Sequence, residues 1–167
     1  MNKKLIISCL MIILFILLGL IYVNETYKAD TEMQSINTHL QKGNDNYNKA
    51  VTSLNNRSYN DSITYCNESY KEYILAKESA NRALNKSIKI NNPVQKEYFE
   101  NTLLELDTKI SSTVSMYEGI SNINVNPYLA ASKFDESNKF MQNSTQYLQK
   151  RSQIENDYPD TFLFKKK

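Results

Sequence analysis

Every side chain from Leu5 to Val23 is hydrophobic or glycine except the lone Ser8. As a helix, this run of about 19 residues reaches roughly 28 Å, enough to cross a bilayer core. A cleaved signal peptide has a shorter apolar stretch, closed by small residues at its cleavage site. Here Ile21 to Asn24 supply no small pair, and Ala29 has bulky Tyr27 two places before it. Ile6-Ile7-Ser8-Cys9 matches a lipobox in residue type but precedes most of the apolar run, and Gly19 sits near its tail rather than at a pilin-like head. The pattern predicts a retained transmembrane anchor over 5–23.

Beyond it the periodicity becomes helical. Met33, Ile36, Leu40, Gly43, Tyr47, Ala50 and Leu54 alternate by three and four, the seam of a helix packed against others. Gly43 and Ala50 allow close approach along that seam, while the GNDN run at 43–46 predicts a kink. Asn55-Asn56-Arg57-Ser58 reads as a turn. A second seam follows: Tyr59, Ile63, Cys66, Tyr70, Tyr73, Lys77, Ala80, Leu84 and Ser87, stopped by Asn91-Asn92-Pro93. A third helix sends Phe99, Leu103, Leu106, Ile110, Thr113 and Tyr117 to the core and ends near Gly119. Pro127 opens a fourth, with a thinner stripe of Ala130 or Ala131, Phe134, Met141, Leu148 and Ile154. The expected fold class is all-α: an N-terminal transmembrane helix followed by an antiparallel up-down bundle of about four long helices over 24–157.

Charge sets the orientation. Lys3 and Lys4 precede the span, and Glu25, Lys28, Asp30 and Glu32 follow it, so residues 1–4 are expected in the cytoplasm and the bulk of the chain outside, as a single-pass membrane protein. The overall charge of +2 hides an acidic body: without Lys3, Lys4 and Lys165 to Lys167, 15 basic residues face 18 acidic ones, a balance of −3. No basic stripe exists to grip phosphates, which argues against nucleic acid as a partner. In an up-down bundle the tail 158–167 returns towards the bilayer. There Phe162, Leu163 and Phe164 suit the interface and Lys165, Lys166 and Lys167 suit anionic head groups, beside the plainer reading of a frayed terminus.

Cys66 is the one cysteine beyond the span, so no internal disulfide closes there. His39 is the single histidine, and no phosphate loop, nucleophile elbow or paired CxxC occurs. Glu97, Glu100, Glu105 and Asp107 fall at mixed helical offsets and read as a solvated face. The expectation is a non-enzymatic chain with no cofactor and no metal. Asn24, Asn56, Asn60, Asn67, Asn85 and Asn143 head Asn-x-Ser/Thr sequons, candidate glycosylation sites in a host with that machinery.

Twelve tyrosines without a tryptophan remain. Tyr59, Tyr70 and Tyr73 share a stripe and Tyr65 points elsewhere. They read either as a polar-edged core or as a recognition surface, where tyrosine supplies amphipathic area at small entropy cost.

The run NNRSYNDSITYCNESY, Asn55 to Tyr70, has a turn, then aromatic Tyr59, with Ser62 and Ser69 at small positions and Tyr65 or Cys66 between them. Ala50 supplies the small residue of the preceding helix, and YNKAVT at 47–52 is echoed by YNDSIT at 59–64. This segment, about residues 45–70, resembles the middle of a tetratricopeptide unit, although no 34-residue period recurs. The resemblance implies a helical hairpin of binding-module type and no particular ligand. The leading functional expectation is a membrane-anchored extracytoplasmic helical protein binding a protein or surface component, of adhesin or envelope-assembly type. The alternatives are a sensory ligand-binding four-helix module acting through a partner subunit, and a secreted helical protein released by signal cleavage.

Overall fold

The computed structural model describes residues 31–166, with side chains as far as Phe162. The expected span 5–23, its orientation and the Asn24 sequon lie outside the described residues. Among those described, no helix is long and apolar enough to cross a membrane. Residues Glu32–Lys167 form one compact unit, helical throughout its described part and without strands. Helix α1 covers 31–55, α2 Tyr59–Lys89, α3 Pro93–Asn122 and α4 Pro127–Asp157, and a 3-10 segment, Pro159–Lys166, follows. The four expected helices are therefore present, at the expected turns.

Local chemistry fixes those turns. After α1, Arg57 takes a left-handed φ of 61°, its N–H bonding to Leu54 O and that of Ser58 to Ser53 O. After α2, Asn91 repeats the device at φ 51°, with Asn91 N–H on Ile88 O and Asn92 N–H on Ser87 O. Both satisfy the terminal carbonyls of a helix in the Schellman arrangement. Asn92 then caps α3 by accepting from Gln95 N–H, Asn126 caps α4 by accepting from Leu129 N–H, and Pro93 and Pro127 occupy the first helical turns.

The expected kink at 43–46 is absent: α1 continues unbroken through it. Gly43 serves packing instead. The Tyr73 ring lies where a Cβ would stand, and Ser69 Oγ donates to Gly43 O at 2.9 Å. The α1 seam is as read, with Met33, Ile36, Gly43, Tyr47 and Ala50 all buried.

The α2 seam is rotated from the expected one. Its buried line is Ser62, Cys66, Ser69, Tyr73, Ala76, Ala80, Ala83 and Ser87, a four-three alternation made almost entirely of small residues, whereas Tyr70 is exposed and Ile63 and Leu84 are half-buried. Depth, not side-chain size, decides burial here. Small residues let α1 and α2 close until seryl hydroxyls reach the opposite backbone, as Ser62 Oγ does to Ala50 O at 2.8 Å. The same correction holds for α4, where Ala130, Ser137, Ser144 and Arg151, seven residues apart, are buried and Leu148 is exposed. Helix α3 runs on past Gly119 to Asn122, because Gly119 is another close approach, beneath the Phe134 ring.

Consecutive helices are antiparallel. Ser35 meets Ser79 and Gly43 meets Ser69 between α1 and α2; Glu105 meets Arg151 and Ser112 meets Ser137 between α3 and α4. Helices α1 and α3 run parallel, and Met33–Tyr98, Asn44–Lys109 and Tyr47–Ser112 are each 65 positions apart. This makes α3 central, buried both along Phe99, Leu106, Thr113 and Ile120 and along Tyr98, Glu105 and Ser112. One apolar cluster, with Met33, Ile36, Phe99 and Ile154, fills the root end where α1 begins, and a second, with Tyr47, Ala50, Met116 and Ile120, fills the tip.

Phe162 belongs to the root core. It is buried with its ring centroid 4.7 Å from that of Tyr98, so for this residue the membrane-facing tail gives way to a docked one. The side chains of Leu163, Phe164, Lys165, Lys166 and Lys167 lie outside the described residues.

Candidate functional site

Two features have functional bearing: a buried polar seam that fixes the frame, and an open groove on the outer face of α2 and α3.

The seam lies where α1, α3 and α4 meet. Glu105, expected in water, is only 1% exposed and Arg151 only 4%. Arg151 Nη1 donates to Glu105 Oε2 at 2.5 Å and Nη2 to Tyr98 Oη at 2.9 Å. Lys109 Nζ stands 3.8 Å from Glu105 Oε1 and donates to Asn44 Oδ1 at 2.9 Å, an oxygen that also accepts from Tyr73 Oη at 2.9 Å. One turn further, Ser112 and Ser137 exchange hydroxyl-to-carbonyl bonds at 2.8 Å, and Tyr47 Oη joins both hydroxyls. Low local polarity strengthens such bonds and penalises any member left without a partner. Burial pushes the Tyr73 and Tyr98 phenols well above the usual tyrosine range, with the Arg151 charge opposing the effect at Tyr98. Burial lowers Lys109, and Glu105 only partly restores it. Burial also works against the Arg151 cation, but Tyr98 and Glu105 more than offset that and hold it protonated. The seam thus joins α1, α3 and α4, with Tyr73 of α2 bonded at its edge, through groups that satisfy one another, apart from Arg151 Nε, which has no hydrogen-bond partner. No local sequence signal marks Glu105 as internal, since its partner is 46 positions away.

The four tyrosines singled out by sequence separate in space. Tyr73 is fully buried and bonded to Asn44, so it cannot belong to a partner surface. Tyr59 and Tyr65 are half-buried against the tip core, with Lys49 Nζ 5.6 Å from the Tyr65 ring centre. Tyr70 is 41% exposed and lines a cavity of about 240 Å³ between α2 and α3, together with Cys66, Asn67, Thr113, Val114 and Tyr117. Val114 and Tyr117, at 40% and 39% exposure, are the groove residues that sequence reasoning missed or assigned to the core. Their signal was present, because the third helix's apolar stripe is wider than one buried face. Cys66 forms part of the floor, and burial pushes its thiol up to about 12, which leaves it a packing group and not a nucleophile. Below the cavity Lys77 Nζ bridges α2 to Asp107 of α3 at 2.5 Å. Among the described residues no cluster of three or more His, Cys, Asp or Glu side chains is placed to hold a metal ion.

The described sequon asparagines, Asn56, Asn60, Asn67, Asn85 and Asn143, are all exposed. Three of their hydroxyl residues, Ser62, Ser69 and Ser87, are buried seam positions of α2. The small-residue seam therefore accounts for half of the six sequons without reference to glycans.

Comparison with known proteins gives no match: no family model, curated protein or solved structure corresponds to this chain.

Proposed function

We propose that the chain is a membrane-anchored, extracytoplasmic helical module that acts by docking a protein or surface component, without catalysis. The observation that carries this reading is the groove at Tyr70, Val114 and Tyr117: an open, largely apolar cavity walled by two helices that the two buried cores hold in place. Exposed aromatic and aliphatic groups beside a rigid helix pair are what helix-in-groove recognition uses. The anchor rests on the 19-residue apolar run and the Lys3–Lys4 flank. Residues 45–70 span the end of α1, the turn at Arg57 and the start of α2, with Ser62 and Ser69 in the interhelical seam.

The test has two parts. Intact mass of the native protein from membrane and soluble fractions is expected to show residues 1–23 retained in the membrane. Capture from surface extracts on wild-type protein and on Val114→Arg is expected to retain a specific component only on the wild type. A soluble species lacking 1–23 overturns the anchor, and identical capture by both proteins overturns the groove.

A further inference from the structure

The seam of α2 and the large apolar groups of α2 do not point the same way, and the difference leaves a stripe without a covering helix. Tyr70 on α2, and Val114 and Tyr117 on α3, stand exposed along the outer groove, flanked by half-buried Ile74 and by Ile63 and Ile110, whose inner sides pack against the two cores. Ile88, half exposed, lies on the same side of α2 nearer the root, beyond the polar positions Lys77, Asn81 and Asn85. From Ile63 to Ile88 the whole α2–α3 face, its polar levels at Lys77, Asn81 and Asn85 included, is roughly 38 Å long, and two helices side by side give a face roughly 20 Å wide. That is on the order of 750 Å², close to the roughly 800 Å² per partner of a standard stable interface.

Charge indicates what covers it. Helices α2 and α3 are antiparallel, so their residues pair by level: Lys77 beside Asp107, and Tyr70 and Asn67 around the cavity with Val114 and Tyr117. The middle of the stripe thus holds one cation on α2 and one anion on α3 at the same height. At the root end, Lys96 and Glu100 already pair along α3 at 3.6 Å. A twofold axis running along the helices sets α2 of one copy against α3 of the other at equal levels. Lys77 of each copy then faces Asp107 of the other, the four charges alternate in sign, and the apolar levels above meet each other. An isologous contact requires this self-complementarity.

We propose that the α2–α3 face is a homodimer interface, with a second copy of this chain as its occupant and a twofold axis parallel to the helices. This names the partner for the groove of the interaction-module reading and rests on that reading. Both copies of α1 then begin at the same end, as two chains held in one bilayer require.

The experiment is sedimentation velocity on the full chain in mild detergent, using Lys77→Glu, Asp107→Lys, their equimolar mixture and the double variant, with helical content checked by circular dichroism. Wild type is expected to dimerise. Each single variant puts four like charges at the centre of the face and is expected to weaken the dimer at least about tenfold. The mixture restores it as a heterodimer, because one copy is then wholly acidic and the other wholly basic at that level, and the double variant restores it as a homodimer. A loss of folding in the single variants would not reproduce that recovery. A monomeric wild type, or a dimer indifferent to these charges, overturns the proposal. If such a monomer still captures a surface component in a Val114-dependent way, the interaction-module reading survives and the homodimer alone falls.

Discussion

Arg151 of α4 and Glu105 of α3 form a salt bridge of 2.5 Å with both side chains almost wholly removed from water. Desolvation offsets most of the attraction in such a pair, so it adds little net stability although removing one partner alone is costly. Glu105→Gln strands a buried cation and is expected to cost about 3–5 kcal/mol in chemical denaturation. The paired change Glu105→Leu with Arg151→Met is expected to cost far less or to stabilise. Equal losses for the single and paired changes would show that the pair itself holds the fold together.

Lys109 and the two buried phenols respond to alkali in opposite senses. The phenols are raised in the fold, so their contribution is whole below the ordinary tyrosine value of 10.0 and is lost as pH climbs towards their folded values. Lys109 is lowered, so stability rises as pH moves from its folded value up to the ordinary 10.5 and is flat beyond. Two phenols against one amine give a net fall in unfolding free energy above pH 10. Tyr98→Phe is expected to remove about 1.4 kcal/mol per pH unit from that slope, whatever it does to stability at neutral pH. Denaturant titrations between pH 8 and pH 11 measure it, and an unchanged slope would mean that Tyr98 ionises in the fold as readily as in the unfolded chain.

Gly43→Ala sets propensity against packing. On an exposed helix the change stabilises by about 1 kcal/mol. Here the new methyl meets the fully buried Tyr73 ring, which Asn44 holds in place, so the thermal midpoint is expected to fall, corresponding to a net loss of about 1–3 kcal/mol. Gly119→Ala meets Phe134, which is only half-buried and can swing outward, so its loss is expected to be smaller.

Arg57 adopts at φ 61° a conformation that glycine enters without penalty. Arg57→Gly is expected to stabilise by about 0.5–1 kcal/mol, because the exposed side chain has no core contact to lose. A lower thermal midpoint would show that the arginine holds the turn in another way.

Helix number and turns were legible in the sequence because Asn55 to Ser58, Asn91 to Pro93 and Pro127 act locally, each within a few residues of the helix end it controls. The α1 seam was legible because Met33, Ile36 and Tyr47 are both large and inward. On α2 and α4 the same reasoning chose Tyr70 and Leu148, since apolar periodicity detects bulk, whereas these helices turn serine and alanine inward so that backbones can approach. Glu105 was misplaced for a different reason: its neighbours in the chain resemble a solvated face, and only Arg151 from a distant helix makes its burial tolerable. The groove was half visible, as a stripe on α3 too broad for one neighbour.

The constant 65-residue interval between α1 and α3 bears on the order in which the chain assembles. The turns after α1 and α3 close short loops, so the α1–α2 and α3–α4 hairpins can form at small entropic cost. The Met33–Tyr98, Asn44–Lys109 and Tyr47–Ser112 contacts instead span the whole of α2 and carry the larger loop-closure cost. Tyr98, touched by Met33 from α1, Arg151 from α4 and Phe162 from the tail, has its surroundings complete only when all three segments are in place.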